Sequence, residues 1–243
     1  MPNFKERADE EEIMDDFNLK GEELEQTLRF LEKVNRFLGG YGVLLTGIEK
    51  VLQRIGNLTN NFNSDRPITI MDAGCGSGDS LREIAKWNRQ KKYSLQYIGV
   101  DANEFIVEDA RQKSAAFSNM TFQMQDIFSP NFTFEGVDVV VCGLFLHHLT
   151  EAEQLKFIAK CFRSDVQVIL VNDLHRHWLG YYLFQLICRI FSVPHMVKHD
   201  GLLSIRKAFK RSDLQQLMHK AGIKSYSLRW KWAFRFQLIA YNK

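Results

Sequence analysis

The 243-residue sequence contains no run of about 18 apolar residues free of charge, so no membrane-spanning helix is expected. Its opening residues, Met1-Pro2-Asn3-Phe4-Lys5-Glu6, hold no apolar stretch, so they are not expected to act as a secretory signal. Cysteine is scarce. The four residues, Cys75, Cys142, Cys161 and Cys188, include no pair at metal-ligand spacing. That argues against a disulfide scaffold or a thiolate zinc site, and fits reduced thiols in a cytoplasmic protein. The net charge is only +3, which gives no reason to expect nucleic acid or an anionic membrane as partner. Internal repeats and low-complexity segments are also missing. The length suits one α/β domain with an extra segment, or at most two small domains.

What charge there is lies unevenly. Glu10, Glu11, Glu12, Asp15, Asp16, Glu22, Glu23 and Glu25 make the leader acidic. Such a leader is expected to be a solvated, frayed end. Residues 22–56 read as two helices: Leu24, Leu28, Leu31, Val34 and Leu38 recur at helical spacing, and Gly39-Gly40 interrupts them. The polar stretch 57–67 reads as the entry to the main domain, dividing an N-terminal helical cap (1–63) from residues 64–243.

From residue 68 onward, short apolar runs alternate with helical patterns. Strands are expected at 68–73, 95–100, 120–124, 137–142 and 166–171, with helices at 81–88 and 104–113. Apolar strands without alternation, separated by helices, imply a parallel sheet buried on both faces. Thr150 with Glu153, and Ser212 with Gln215, fit capping boxes, and Gly222 is placed to close the second helix. Residues 223–232 and 234–241 read as an antiparallel pair turning near Ala233.

The chemical signal is Met71-Asp72-Ala73-Gly74-Cys75-Gly76-Ser77-Gly78-Asp79, directly after a strand and before a helix. Glycines there let a ligand approach the backbone, and the helix start adds oriented N–H groups. The dinucleotide fingerprint G-x-G-x-x-G is not met, because Asp79 occupies its third glycine position. A phosphate-binding P-loop fails for want of Gly-Lys-Ser/Thr. Asp72, two residues before the first glycine, suits a ligand end that carries a positive amino group.

These residues resemble the class I S-adenosylmethionine-dependent methyltransferases, whose signature is an acidic residue followed by G-x-G-x-G after the first strand. The resemblance covers roughly residues 68–241. Asp101, in Tyr97-Ile98-Gly99-Val100-Asp101, matches the acidic residue that binds both ribose hydroxyls in the family. Asp126, with Ile127, matches the position at the adenine amino group and ring, and residues 142–148 match the cofactor-flanking loop. The resemblance implies S-adenosylmethionine as cofactor and S-adenosylhomocysteine as product. Asp72, Ala73, Gly74, Gly76, Gly78, Asp101, Ala102, Asp126, Ile127 and Cys142 are the expected cofactor contacts. The implied fold is α/β and Rossmann-like: a seven-stranded, mostly parallel sheet with an antiparallel last strand, N-terminal helices and a helical lid insertion at 174–209.

Methyl transfer to a hydroxyl profits from a base. His147 and His148 follow the fourth strand, and His175 the fifth; these are the catalytic candidates, with Asp173 close enough to orient His175. No metal is expected, since cation-dependent O-methyltransferases use mainly carboxylates, which this segment lacks. Cys142 follows Val141 rather than a proline, and no Pro-Pro-aromatic motif is present, so methylation of nucleic-acid bases is not expected. The basic run Arg206-Lys207…Lys210-Arg211 reads as a solvated helix start. Residues 178–203 are apolar nearly all round, fitting either a packed helix or a lid over a hydrophobic pocket. Asn172-Asp173-Leu174-His175-Arg176 and His199-Asp200-Gly201 resemble the bacterial phenol and quinol methyltransferases of secondary metabolism. Asp200 and Arg206 are read as a structural pair or as closing the site. The expected reaction is O-methylation of a small hydrophobic or aromatic acceptor. The alternatives are C- or N-methylation of a quinone- or amine-like molecule, and a cofactor-binding partner protein without turnover. The oligomeric state stays open, with a homodimer among the options.

Overall fold

The computed structural model describes residues 2–58, 66–191 and 193–242. Residues 59–65, most of the stretch read as a domain entry, lie outside the described residues.

Seven strands form one sheet: β1 (Ile68–Ala73), β2 (Leu95–Asp101), β3 (Met120–Met124), β4 (Val139–Gly143), β5 (Val168–Leu174), β6 (Tyr226–Lys231) and β7 (Arg235–Tyr241). Their order is β3-β2-β1-β4-β5-β7-β6. The first five run parallel, and β7 lies antiparallel between β5 and β6. Among the described residues, eight α-helices accompany them: α1 (Glu22–Phe37), α2 (Gly40–Leu58), α3 (Asp79–Lys91), α4 (Glu104–Lys113), α5 (Glu151–Arg163), α6 (Trp178–Ile190), α7 (His195–Lys207) and α8 (Arg211–Lys220).

Alternate side chains along each strand feed two separate cores. On β5, Val168 and Leu170 pack toward α2, α3 and α4, while Ile169 and Val171 pack toward α5 and α8. Both faces are covered, which is why the strands read as unbroken apolar runs. Each fully buried aliphatic chain contributes about 1.5–3 kcal/mol. Helix α2 belongs to this layer: Ile48, Val51 and Leu52 share a core with Ile70 of β1 and Leu170 of β5.

Several boundaries shift for local reasons. Strand β4 starts two residues later than expected because the Asp138 carboxylate accepts the Thr69 N–H and both Arg66 Nη groups, each at 2.8–2.9 Å. Strand β5 runs on to Leu174 because β7 pairs with its whole length. The box at Thr150 and Glu153 forms as read. That at Ser212 and Gln215 does not: α8 begins two residues earlier, with Lys210 in the capping position, and Asp213 accepts the Lys210 N–H at 2.8 Å. Gly222 closes α8 at φ +72°, and the Ile223 N–H bonds Met218 O, which holds Ile223 out of β6.

The acidic leader is not frayed. Arg7 donates to the backbone oxygens of His147, Leu149 and Lys207. Asp200 of α7 accepts the N–H groups of Ile13 and Met14, at the short 3-10 helix Ile13–Asp15. Asp200 and Arg206 therefore do not pair with each other; Arg206 pairs with Glu10 at 3.0 Å. Glu12 and Asp15 of the leader face partners in α7 and the loop after β4, while Glu11 and Asp16 stay exposed.

Candidate active site

The strand order reverses direction between β1 and β4, and open parallel sheets bind ligands at such a point, beyond the carboxyl ends of the strands. A cavity of about 1610 Å³ lies there. It reaches from the glycine-rich turn to walls formed by the leader, α1, α6, α7 and the β6–β7 turn.

At its β1 side, Gly74 stands at φ +67°, and a Cβ there would strike the Phe145 ring at 2.2 Å. Gly76, at φ +53°, has open space where its Cβ would be, which leaves room for a ligand against the backbone. Asp101, at the end of β2, accepts the N–H groups of Gly76 and Asn103, each at 3.1 Å. Burial raises the Asp101 pKa, with the two backbone N–H groups pulling the other way. The Asp72 Oδ1 is buried without a hydrogen-bond partner, and burial, then Asp79 and Asp101, push its pKa well up. Ala102, Asp126 and Ile127 also line the cavity. Ala73, Gly78 and Cys142 do not. Ala73 and Cys142 are fully buried in the core, and Gly78 caps α3 against Phe122.

The histidines fall into two groups. His147 and His148 form the short helix Leu146–His148 after β4. His147 is buried; its Nδ1 lies 2.7 Å from Asp173 Oδ1, and its backbone N–H donates to the other carboxylate oxygen. His148 Nδ1 lies 2.6 Å from Asp15 Oδ1. Asp173 thus orients His147, not His175. Burial works against the Asp173 carboxylate, but His147 outweighs it and the pKa is lowered. Asp15 is likewise held below the usual carboxylate range, against its burial, by the hydrogen bond with His148. Glu12 faces both imidazoles, 3.7 Å from His147 Nε2 and 3.9 Å from His148 Nε2. Burial pushes its pKa up to about 7, opposed by His148, Ser204 and Lys207.

His175 also lines the cavity, but its role differs. Its Nδ1 accepts from Trp230 Nε1 at 3.2 Å, so the neutral ring carries its proton on Nε2 and offers a donor there. His177 caps α6, accepting the Leu179 N–H. Burial first, then His177, Arg176, Lys210 and Arg211, lower the His175 pKa from 6.5 to about 4. The folded protein therefore binds this proton more weakly than the unfolded chain. The contribution of His175 to stability is complete above pH 6.5 and is lost as the pH falls toward about 4. Denaturant titrations across that window should show a smaller acid loss for His175→Gln than for the native chain. An equal loss in both would contradict the assignment.

Spacing could not reveal Glu12, Asp15 and Arg235. The Arg235 side chain is buried at the cavity wall, donates to Asn35 Oδ1 and has no hydrogen-bond partner at Nε or Nη1 among the described residues. Burial lowers its pKa to about 10.

Residues 70–164, carrying the glycine-rich turn, Asp101, Asp126 and the His pair, match a family model described as a methyltransferase domain. Those residues form a methyltransferase domain, and the chain is an S-adenosylmethionine-dependent methyltransferase. Its cofactor is S-adenosylmethionine. The methyltransferase is 22% identical over 185 residues to a carboxy-S-adenosyl-L-methionine synthase of Campylobacter hominis, covering 68% of this chain and 73% of that one. It is 23% identical over 144 residues to a phosphoethanolamine N-methyltransferase of Plasmodium falciparum, covering 58% and 51%. Among solved structures, a methyltransferase of Aquifex aeolicus has a TM-score of 0.59 at 17% identity, covering 92% of this chain and all of that one. The plantazolicin methyltransferase BpumL, solved with S-adenosylhomocysteine, has a TM-score of 0.61 at 13% identity, covering 91% and 96%. At such identity these structures establish the fold.

Proposed function

We propose that the methyltransferase O-methylates a phenolic or similar hydroxyl on a small hydrophobic acceptor. The observation that carries this reading is one continuous cavity. It joins the glycine-rich turn and Asp101 to the imidazoles of His147 and His148, and then to an apolar wall that includes Leu31, Val34, Leu38, Leu183, Leu186 and Ile187. Residues 178–190 of the insertion act as a lid in this reading, with Leu183 and Ile187 facing the cavity.

The cofactor fits the residues present. Asp72 with its unpartnered Oδ1 would take the amino group, Asp101 the ribose hydroxyls, the open face of Gly76 the backbone approach, and Asp126 with Ile127 the adenine. When bound, S-adenosylmethionine supplies an electrophilic methyl group. The protein's own contribution is to hold a hydroxyl in line with it and favour loss of the hydroxyl proton. His147 and His148 both have Nδ1 tied to a carboxylate, which fixes the rings and leaves each Nε2 lone pair beside Glu12 at the acceptor end of the cavity, with His148 the more exposed of the two. Arg235, with two free donors, would anchor a second acceptor oxygen.

Incubation with methyl-labelled S-adenosylmethionine and alkylphenols, beside the same rings without the hydroxyl, tests the reading. Label should appear only with the phenols and leave as the methyl ether. A ring- or nitrogen-methylated product would overturn it.

A further inference from the structure

The cluster after β4 contains an electrostatic problem that the acceptor alone does not resolve. With Nδ1 of each histidine directed at a carboxylate, the Nε2 atoms of His147 and His148 present lone pairs. Both point toward Glu12, and the ligand atoms of the three residues lie within 4.8 Å of one another. His147 Nε2 and Glu12 Oε1 are buried and have no hydrogen-bond partner among the described residues. Three electron-rich atoms therefore converge on one point beside the cavity with nothing positive between them.

We propose that Glu12, His147 and His148 form a binding site for a first-row divalent metal ion. Two imidazoles and one carboxylate suit zinc, iron or cobalt better than magnesium, which prefers oxygen ligands. Asp173 and Asp15 at the Nδ1 positions supply the carboxylate partners that metal-bound histidines ordinarily have. Ser204 of α7 donates to Glu12 Oε2 at 2.8 Å, which fixes the third ligand. Lys207 Nζ is the neighbouring cation, 3.9 Å from Glu12 Oε1 and closer, at 3.2 Å, to Asp15. It balances one carboxylate of the pair and leaves Glu12 for the metal. Three protein ligands leave coordination positions open, and all three residues line the cavity. An acceptor oxygen bound there would meet the imidazoles through the metal and lose its proton more readily. That role rests on the proposed hydroxyl acceptor; the binding of the ion does not.

The test is cobalt(II) titration of chelator-treated protein without any acceptor, read by visible absorption and equilibrium dialysis. One equivalent should bind with the absorption of a nitrogen- and oxygen-ligated site. Glu12→Gln and His148→Ala should each weaken it by more than the roughly tenfold to hundredfold that loss of an outer hydrogen-bond partner costs a metal site. S-adenosylhomocysteine binding measured on the same variants confirms that they are folded. No stoichiometric uptake by the native chain, or uptake unchanged in folded variants, would overturn the proposal. Since no acceptor is present, failure of the phenol reading would not alter this result.

Discussion

Turnover of His147→Asn should fall by roughly 10²–10⁴-fold, the range expected when a group that assists proton transfer is removed. Asparagine is the informative replacement. Its amide nitrogen can still donate to Asp173, so the buried carboxylate keeps a partner and the fold survives. Alanine would leave that carboxylate only the backbone N–H donors of residue 147 and Leu174, at the cost of about 1.5–3 kcal/mol for the lost hydrogen bond to a charged group. What asparagine cannot supply is the Nε2 lone pair that faces Glu12. Among the described residues no hydrogen bond or ion pair joins His147 to the glycine-rich turn, so affinity for S-adenosylhomocysteine should stay within a few-fold of native. Asp173 acts only as a positioning residue through His147. Asp173→Asn should also lower kcat, and the double variant should lose little beyond the larger single loss, because the two act as a unit. Initial rates at saturating cofactor, with the titration alongside, separate these outcomes. Native turnover in His147→Asn would remove this residue from the mechanism.

The second large effect is expected at the opposite end of the cavity. Asp101→Ala should weaken binding of S-adenosylhomocysteine by about 10²-fold or more. Hydrogen bonds to a charged group contribute about 1.5–3 kcal/mol each, and the proposed ribose contacts number two. The substitution also frees the N–H groups of Gly76 and Asn103 that the carboxylate now holds. Loss of pre-organisation in the turn therefore adds to the loss of direct contact. Since Asp101 ends β2 instead of filling a core, thermal stability should change far less than affinity. A variant that binds the ligand as the native chain does would contradict the assignment of Asp101.

The parts of the molecule that were legible in the sequence are those whose causes are local. The glycine-rich turn sits within eight residues, and its conformation follows from where glycine alone is tolerated. The strands announce themselves because both faces of the sheet are buried. The Thr150 box is set by two side chains three positions apart. The acceptor half of the site has no such signature. Glu12 meets His147 across more than 130 residues, and Ser204 meets Glu12 across 192. An acidic run looks the same in sequence whether its carboxylates face water or face imidazoles, and only packing against α7 decides it. The expectation of no metal rested on the absence of carboxylates after β4. The leader brings Glu12 and Asp15 there. His175 illustrates the converse. Its position at the end of β5 suggests a base, but Trp230, 55 residues on, occupies the nitrogen that would accept a proton.

The most direct test of the account is calorimetric titration of the native protein with S-adenosylhomocysteine. The account predicts one site per chain with micromolar-range affinity, about −8 kcal/mol, and its loss in Asp101→Ala. Absence of binding by folded native protein would contradict the cofactor site and the methyl-transfer reading built on it.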